Sequence, residues 1–292
     1  MKIYINGKFV NKAEASVSVF DHGFLYGDGA FEGIRSYSRL VFKLEEHIDR
    51  LYETAHTLMI KIPLTKAQMV KAVVDTLKEN KIIDGYIRVI VTRGEGDLGL
   101  DPRKCHGEPT IIIIADKITL YPAELYKKGL EIITVPTVRN HPEALNPRLK
   151  SLNYLNNILA KIEANNAGCS EAIMLDTQGF VAECTGDNIF IVKNNVLATP
   201  SQGRLRGITL DTVLDLTAKH KTLWPKMKIY EGQITRHEIF NAEECFLTGT
   251  AAEIIPVVKV DGRMIGAGKP GPFTTKIMDL FKGMTSQEGT KY

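Results

Sequence analysis

The sequence predicts a mixed α/β protein, α+β in its first part, organised as two domains. Three observations carry this. The chain has 292 residues, more than one average domain, and chains of this size bury roughly three quarters of the surface their unfolded form exposes. Stretches of two-residue apolar period are interspersed with stretches of helical period along most of the chain. A short proline-containing stretch, Asp116 to Gly129, separates two series of such segments. The predicted division is a smaller N-terminal domain over 1–117, a connector over 118–128 and a larger C-terminal domain over 129–292.

The elements follow in order. Lys2 to Val10 alternates around Asn6-Gly7, the strongest short hairpin signal, so two strands open the chain. Val17 to Phe20 and Ile34 to Leu44 read as further strands. Glu45 to Leu58 places Ile48, Leu51, Tyr52, Ala55 and Leu58 at helical spacing, and Thr65 to Asn80 reads as a second helix capped by Thr65. Tyr86 to Thr92 and Thr110 to Ala115 return to β character. Beyond the connector, strands are predicted at Leu130 to Val135, Glu171 to Asp176, Val181 to Cys184, Asn188 to Lys193, Cys245 to Thr248 and Ile254 to Val260. Helices are predicted at Asn153 to Asn166, Thr209 to His220 and Phe273 to Lys282. No internal repeat is present, and the tail after Met284 is expected to fray.

Composition narrows the function. The hydrophobic fraction of 44%, the charged fraction of 24% and the mean hydropathy of -0.08 are those of an ordinary soluble protein. The net charge is only +3, with basic and acidic residues interspersed, so no basic stripe for nucleic acid stands out. Any local positive cluster is expected to serve an anionic small molecule. The longest apolar run, near Thr110 to Ala115, falls far short of the roughly 20 residues that cross a bilayer. With Met1 opening directly into a strand, no membrane partner and a cytoplasmic setting are expected. The four cysteines, Cys105, Cys169, Cys184 and Cys245, form no CxxC pair, so no metal site and no disulfide framework are expected.

The densest glycine cluster runs from His22 to Gly33. Its GxGxxxG string would suit a dinucleotide turn only if it fed a helix, whereas Ile34-Arg-Ser-Tyr-Ser-Arg-Leu-Val-Phe alternates like a hairpin. Gly268-Lys269 is followed by Pro270 and is no Walker loop, and HExxH and GxSxG are missing. Taken singly, the polar residues that remain read blandly. Lys150 is a surface lysine ahead of a helix, Arg50 a helix charge with its stem on the core, Glu183 an exposed strand carboxylate and Thr209 a helix cap. One feature is chemical whatever the side chains: Ile208 and Thr209 open a helix, whose first N–H groups favour a phosphate.

Taken together, the segments change that reading. Lys150-Ser-Leu-Asn-Tyr154 resembles the Lys-x-x-Asn-Tyr signature of the fold-type IV pyridoxal phosphate enzymes, the class IV aminotransferases, and within them the branched-chain amino acid aminotransferases. Phe24-Leu-Tyr-Gly-Asp-Gly-Ala-Phe-Glu-Gly-Ile-Arg35 is similar to the family's pocket-lining segment, and Glu46-His-Ile-Asp-Arg-Leu51 to the one whose arginine grips the cofactor phosphate. Val181-Ala-Glu-Cys-Thr-Gly-Asp-Asn-Ile-Phe190 is similar to the segment whose glutamate meets the pyridine nitrogen. Arg206-Gly-Ile-Thr209 and Leu247-Thr-Gly-Thr-Ala-Ala-Glu253 resemble the two phosphate and carboxylate loops. The likeness runs in the family's order from about Lys2 to Gly262.

The resemblance implies two α/β domains with the active site in the cleft between them, pyridoxal 5′-phosphate as cofactor, and a homodimer or an assembly of dimers such as a hexamer. It implies Lys150 as the amine that carries the cofactor aldehyde and then moves the proton at the substrate carbon. Arg50, Tyr154, Glu183, Ile208, Thr209, Gly249 and Thr250 are implied to hold the cofactor. Glu183 would keep the ring nitrogen protonated, and Arg50 would bind the phosphate through charge-assisted hydrogen bonds. Tyr154, four residues past Lys150 and expected on the same helix face, would reach the phenolic oxygen. Tyr26, Phe31, Gly33, Arg35, Tyr86, Arg88, Leu100, Thr250 and Ala251 are implied to bind substrate, the loop from Gly94 to Pro102 coming from a neighbouring subunit. Tyr86-Ile-Arg88 points to the branched-chain enzymes, Arg88 meeting the side-chain carboxylate of glutamate. Taken as a buried structural ion pair, Arg88 would lose that role.

The reaction implied is exchange of the amino group of leucine, isoleucine or valine with 2-oxoglutarate. D-amino acid aminotransferases and aminodeoxychorismate lyases share the fold and remain alternatives, as does a binding protein without catalysis. The joint presence of Lys150, Glu183 and Arg50 argues against the last. Ser-Leu-Asn-Tyr after Lys150, and Leu210 after Thr209 where relatives often carry arginine, depart from the family pattern and bear on fine specificity.

Overall fold

The structure is a computed structural model that describes residues 1–118 and 121–292; Thr119 and Leu120, part of the expected connector, lie outside the described residues. The chain forms two compact units. The first comprises Met1–Ile118, Leu149–Asn153 and Thr285–Tyr292, and the second Thr119–Arg148 and Tyr154–Met284. This differs from the expected linear division, because two later segments return to the first unit.

The first unit begins with β1 (Lys2–Ile5) and β2 (Lys8–Asn11), followed by α1 (His22–Tyr26), β3 (Gly29–Tyr37), β4 (Leu40–Val41), α2 (Leu44–Thr57), α3 (Lys66–Glu79), β5 (Gly85–Thr92) and β6 (Ile111–Asp116). The opening hairpin turns at Asn6 and Gly7, both at positive φ, as the Asn-Gly pair predicts. The predicted strand at 34–44 is two strands, because Ser38 and Arg39 take positive φ between β3 and β4. α3 starts with a full capping box: Thr65 Oγ1 accepts from Gln68 N, and the Gln68 side chain accepts from Thr65 N. β3, β5 and β6 pair antiparallel, with Gly33 opposite Arg88 and Arg35 opposite Tyr86. Ala30, Ile34, Ile87, Val89 and Ile113 turn to one side of this sheet and pack on Ile48, Leu51, Met69, Val73 and Leu77 of the two helices. By strand alternation Phe31, Gly33, Arg35, Tyr86 and Arg88 take the other side.

Two expectations are overturned here. Val17 to Phe20 forms no strand but a loop and turn, and Val19 and Phe20 stand exposed. The C-terminal residues do not fray: Thr290–Lys291 pairs with β4 as a seventh strand, and Tyr292 Oη donates to the Ile82 carbonyl at 3.0 Å.

The second unit continues with α4 (Ala123–Lys128), β7 (Leu130–Thr134), α5 (Leu155–Asn166), β8 (Ala172–Leu175), β9 (Val181–Cys184), β10 (Asn188–Lys193) and β11 (Val196–Pro200). Then come α6 (Ile208–Lys219), β12 (Lys228–Gly232), α7 (Arg236–Phe240), β13 (Glu244–Gly249), β14 (Glu253–Val260), β15 (Arg263–Met264) and α8 (Pro272–Thr285), and the chain ends with β16 (Thr290–Lys291) of the first unit. The sheet runs β12-β11-β10-β13-β14-β7-β8-β9, with β15 on β14. Its core joins Ile132, Ile173, Val181, Ile189, Cys245, Leu247 and Ile255. The glycine cluster before β3 feeds a strand, which removes the dinucleotide-turn alternative. Among the described residues no helix is long and apolar enough to cross a membrane.

Candidate active site

In the first unit the site is built on β3. Leu149–Asn153 lies against the start of this strand: Phe31 N donates to the Lys150 carbonyl at 2.9 Å and Leu152 N to the Gly29 carbonyl at 3.0 Å. Lys150 N also donates to Thr54 Oγ1 of α2 at 3.4 Å. Lys150 is therefore fixed at its backbone and half-buried, unlike the solvated surface lysine that its local sequence suggests. Its Nζ lies 4.6 Å from the centroid of the Phe31 ring, and Arg88 Cζ lies 4.5 Å from the same centroid. Two cations around one aromatic ring make this face of the sheet attractive to carboxylates.

Arg88 Nη2 donates to Tyr86 Oη at 3.0 Å. Gly33 makes the room for that hydroxyl, since a Cβ built on it would collide with Tyr86 Oη. Among the described residues Arg88 is thus engaged by a hydroxyl and aromatic faces, with no carboxylate paired to it. Arg35, opposite Tyr86, has its Cζ 5.0 Å from the Tyr37 ring centroid.

Arg50 is neither a surface charge nor simply stem-packed. Its Nε donates to Glu32 Oε1 at 2.7 Å and its Nη2 to Glu32 Oε2 at 2.9 Å, while His47 Nδ1 reaches Glu32 Oε2 at 2.7 Å. Glu32 and His47 are buried. Burial works to raise the Glu32 pKa, but the Arg50 charge, His47 and their hydrogen bonds outweigh it and hold the carboxyl far below the usual range. Burial lowers the His47 pKa against the pull of Glu32, and facing an ionised carboxylate Nδ1 is the ring nitrogen that carries a proton. Neither Glu32 nor His47 was expected in a site. The spacing of His47, Arg50 and Thr54 on α2 is the signal that could have found them: a polar lane beside the apolar lane of Ile48, Leu51 and Ala55.

Tyr26 and Leu100 belong to another part of this unit. Tyr26 Oη accepts from Gly99 N at 2.9 Å and the ring meets His22 edge-on, while Leu98 and Leu100 are 71% and 82% exposed.

In the second unit Glu183 is buried on β9, not exposed. Arg139 Nε donates to its Oε1 at 2.8 Å, and Oε2 accepts from Leu205 N at 3.0 Å and Asn188 Nδ2 at 3.3 Å. Asn188 Nδ2 also donates to the Leu205 carbonyl at 2.9 Å, so the carboxylate and the loop before α6 share one network. Arg139 and Asn188 were not anticipated, and Arg139 stands too far from Glu183 in sequence for any local signal.

α6 begins at Ile208 with Gly207 as its N-cap and no side-chain cap, so Thr209 is not the cap but a buried residue of the first turn. The first N–H groups of this 12-residue helix thus lack a side-chain acceptor, which is what a phosphate supplies. At the end of β13, Gly249 leads into the turn at Thr250–Ala252. A Cβ on Gly249 would strike Asp187 Oδ1, and Thr248 Oγ1 is buried with no hydrogen-bond partner among the described residues. Tyr154 sits at the N-cap of α5. Lys150 precedes the helix in a strand-like segment, so the expected same-face relation of the two residues does not hold.

The chain is similar in sequence and in fold to known proteins. The family model for amino-transferase class IV matches residues 29–260. The chain is 54% identical to a Methanocaldococcus jannaschii protein whose name provisionally gives a branched-chain-amino-acid aminotransferase, covering 100% of this chain and 99% of that one. It is 38% identical to the branched-chain-amino-acid aminotransferase of Pseudomonas aeruginosa, covering 97% and 94%. The crystal structure of the Escherichia coli branched-chain amino acid aminotransferase superimposes with a TM-score of 0.93 at 32% identity, covering 99% and 96%. That of the Thermobaculum terrenum branched-chain amino acid aminotransferase, in its PLP form, gives 0.85 at 28% identity, covering 97% and 93%.

Proposed function

Because the chain belongs to the amino-transferase class IV family, we propose that it is a pyridoxal 5′-phosphate-dependent aminotransferase of L-leucine, L-isoleucine and L-valine. Its amino acceptor is 2-oxoglutarate, and its products are 2-oxo acids and L-glutamate. The observation that carries this reading is the β3 face on which Lys150 and Arg88 flank Phe31 with the Tyr86 hydroxyl held over Gly33.

The donor set fits the cofactor. The N-terminus of α6 without a side-chain cap and the buried hydroxyl of Thr248 suit a phosphate dianion, and Glu183 suits a protonated ring nitrogen. When bound, the cofactor supplies a carbonyl for the amino group and an electron-accepting ring.

The protein's residues do the rest. Lys150 would move the proton between the substrate α-carbon and the C4′ carbon of the cofactor within each half of the reaction, as base toward one atom and acid toward the other. Glu183, oriented by Arg139 and Asn188, holds a proton on the pyridine nitrogen. Arg50, Thr250 and the N–H groups of Ile208 and Thr209 bind the phosphate, and Tyr154 binds the phenolic oxygen. Tyr86 and the backbone of Gly249, Thr250 and Ala251 bind the substrate α-carboxylate. Phe31 and Gly33 receive an apolar side chain, with Tyr26 and Leu100, which are joined through Gly99, contributed by a neighbouring subunit, while Arg35 borders the pocket and Arg88 receives the second carboxylate of glutamate. An aromatic ring beside a guanidinium suits both kinds of substrate in one pocket. The chain works as a homo-oligomer, a reading supported by four exposed apolar residues on α5, Leu155, Ile158, Leu159 and Ile162.

The test is an absorbance titration of the purified protein. A visible band that L-leucine converts and 2-oxoglutarate restores, absent in Lys150→Ala, is the expected result. No band after addition of pyridoxal phosphate overturns the reading. Conversion by D-alanine alone keeps the cofactor and overturns the substrate.

A further inference from the structure

The side chains of β3 alternate between two tasks. Phe31, Gly33 and Arg35 share the face with Tyr86 and Arg88, while Glu32, between them, is turned to α2 and is fully buried. Burying a carboxylate is costly unless it is paired and hydrogen-bonded. Here three N–H donors from one helix converge on it: Arg50 Nε at 2.7 Å, Arg50 Nη2 at 2.9 Å and His47 Nδ1 at 2.7 Å. An apolar pair of the same volume would pack at least as well, so stability alone does not account for this polar cluster. What the cluster does is hold a guanidinium by one edge in a single orientation. The same lane of α2 holds the backbone of Lys150 through Thr54 Oγ1 at 3.4 Å.

We propose that Glu32, held in turn by His47, is a positioning residue for the cofactor. It fixes Arg50 in the orientation that binds the phosphate, and it couples that grip to the strand carrying Phe31 and Gly33. A flexible arginine has to be ordered when the phosphate arrives; one pre-oriented by a buried carboxylate does not, and the phosphate gains the difference in affinity. The inference rests on the reading of Arg50 as a phosphate ligand.

The two can be separated by ligand choice. Full-length protein freed of cofactor is titrated with pyridoxal 5′-phosphate and with pyridoxal, which lacks the phosphate, and both dissociation constants are measured for the wild type, Glu32→Gln, His47→Gln and Arg50→Gln. The expected result is that Glu32→Gln weakens the phosphorylated ligand about tenfold or more and pyridoxal less than about twofold, with a smaller selective loss for His47→Gln. In the Glu32→Gln/Arg50→Gln double variant the two losses should not add. A selective loss in Arg50→Gln with an equal or no loss on both ligands in Glu32→Gln overturns the positioning role and leaves the Arg50 reading standing. No selective loss in Arg50→Gln overturns the Arg50 reading itself, and the inference with it. Should Glu32→Gln not fold, His47→Gln, which exchanges the Nδ1 donor for an amide of different reach and leaves the Arg50–Glu32 pair, decides by the same ratio.

Discussion

Gly33 shows how one missing side chain shapes the site. The Tyr86 hydroxyl occupies the space a Cβ would take, and Arg88 donates to that hydroxyl from the same face. The obstruction is the far end of a side chain, so Gly33→Ala should fold, displacing Tyr86 rather than the sheet. The expected outcome is a Tm close to that of the wild type, and a KM for L-leucine raised roughly tenfold with kcat changed less, the signature of one lost hydrogen bond to the α-carboxylate. Steady-state kinetics with a thermal melt check it; a large fall in Tm with unchanged KM would show Gly33 to be structural only. That Gly33 is singled out at all was legible in the sequence, because it lies in a recognisable motif; the room it makes for Tyr86 was not. Glu32, its neighbour in that motif, was not. A strand glutamate reads as a surface charge until α2 is known to bring His47 and Arg50 onto it. Arg139 was hidden for the same reason: its partner Glu183 is near only after β9 has folded.

At the scale of elements, what local chemistry dictates could be read and what long-range pairing dictates could not. The Asn6-Gly7 hairpin, the capping box of α3 and the strands β9 and β10 follow from signals within a few residues. The Leu149–Asn153 segment on β3 and the pairing of β16 with β4 follow from contacts between distant parts of the chain. Short elements without a strong period, such as α1, α4, α7 and β12, also escaped. α5 was expected, but its two faces carry more than a fold. Asn157, Ala160 and Ala164 are buried, while Leu155, Ile158, Leu159 and Ile162 recur at i, i+3, i+4 and i+7 on a face that is about half exposed or more. A helix apolar on both sides is expected to have a second partner, and in the homo-oligomer proposed above a second copy of this chain would supply it. Ile158→Glu would place a charge in the middle of that stripe, and light scattering should then show a protomer-sized species where the wild type shows a larger one. An unchanged assembly would move the interface elsewhere.

At the scale of the whole molecule, the buried ionisable groups set how stability follows pH. Glu32 has a folded pKa far below its unfolded value, so its contribution is present above the unfolded pKa and is lost as pH falls toward the folded one. His47, also depressed, is protonated more readily in the unfolded chain, so it too costs stability as pH falls below about 6.5. Asp187 in the second unit acts in the opposite sense. Burial, and then the charge of Glu171, push its pKa up to about 7 against the pull of Lys161 and a hydrogen bond from Tyr121. Between the unfolded pKa near 3.9 and that value the unfolded chain releases the proton and the folded chain keeps it, so stability falls as pH rises through this window. Asp187→Asn keeps the shape and removes the titration. Its Tm relative to wild type should therefore rise with pH, with little gain at pH 4 and a gain of roughly 2–4 °C at pH 7.5 for each kcal/mol recovered. Melts of both proteins from pH 4 to 8 decide it. A difference that does not depend on pH would mean that Asp187 is ionised throughout, and that the Tyr121 hydroxyl and the β13 turn pack against a charge rather than a neutral acid.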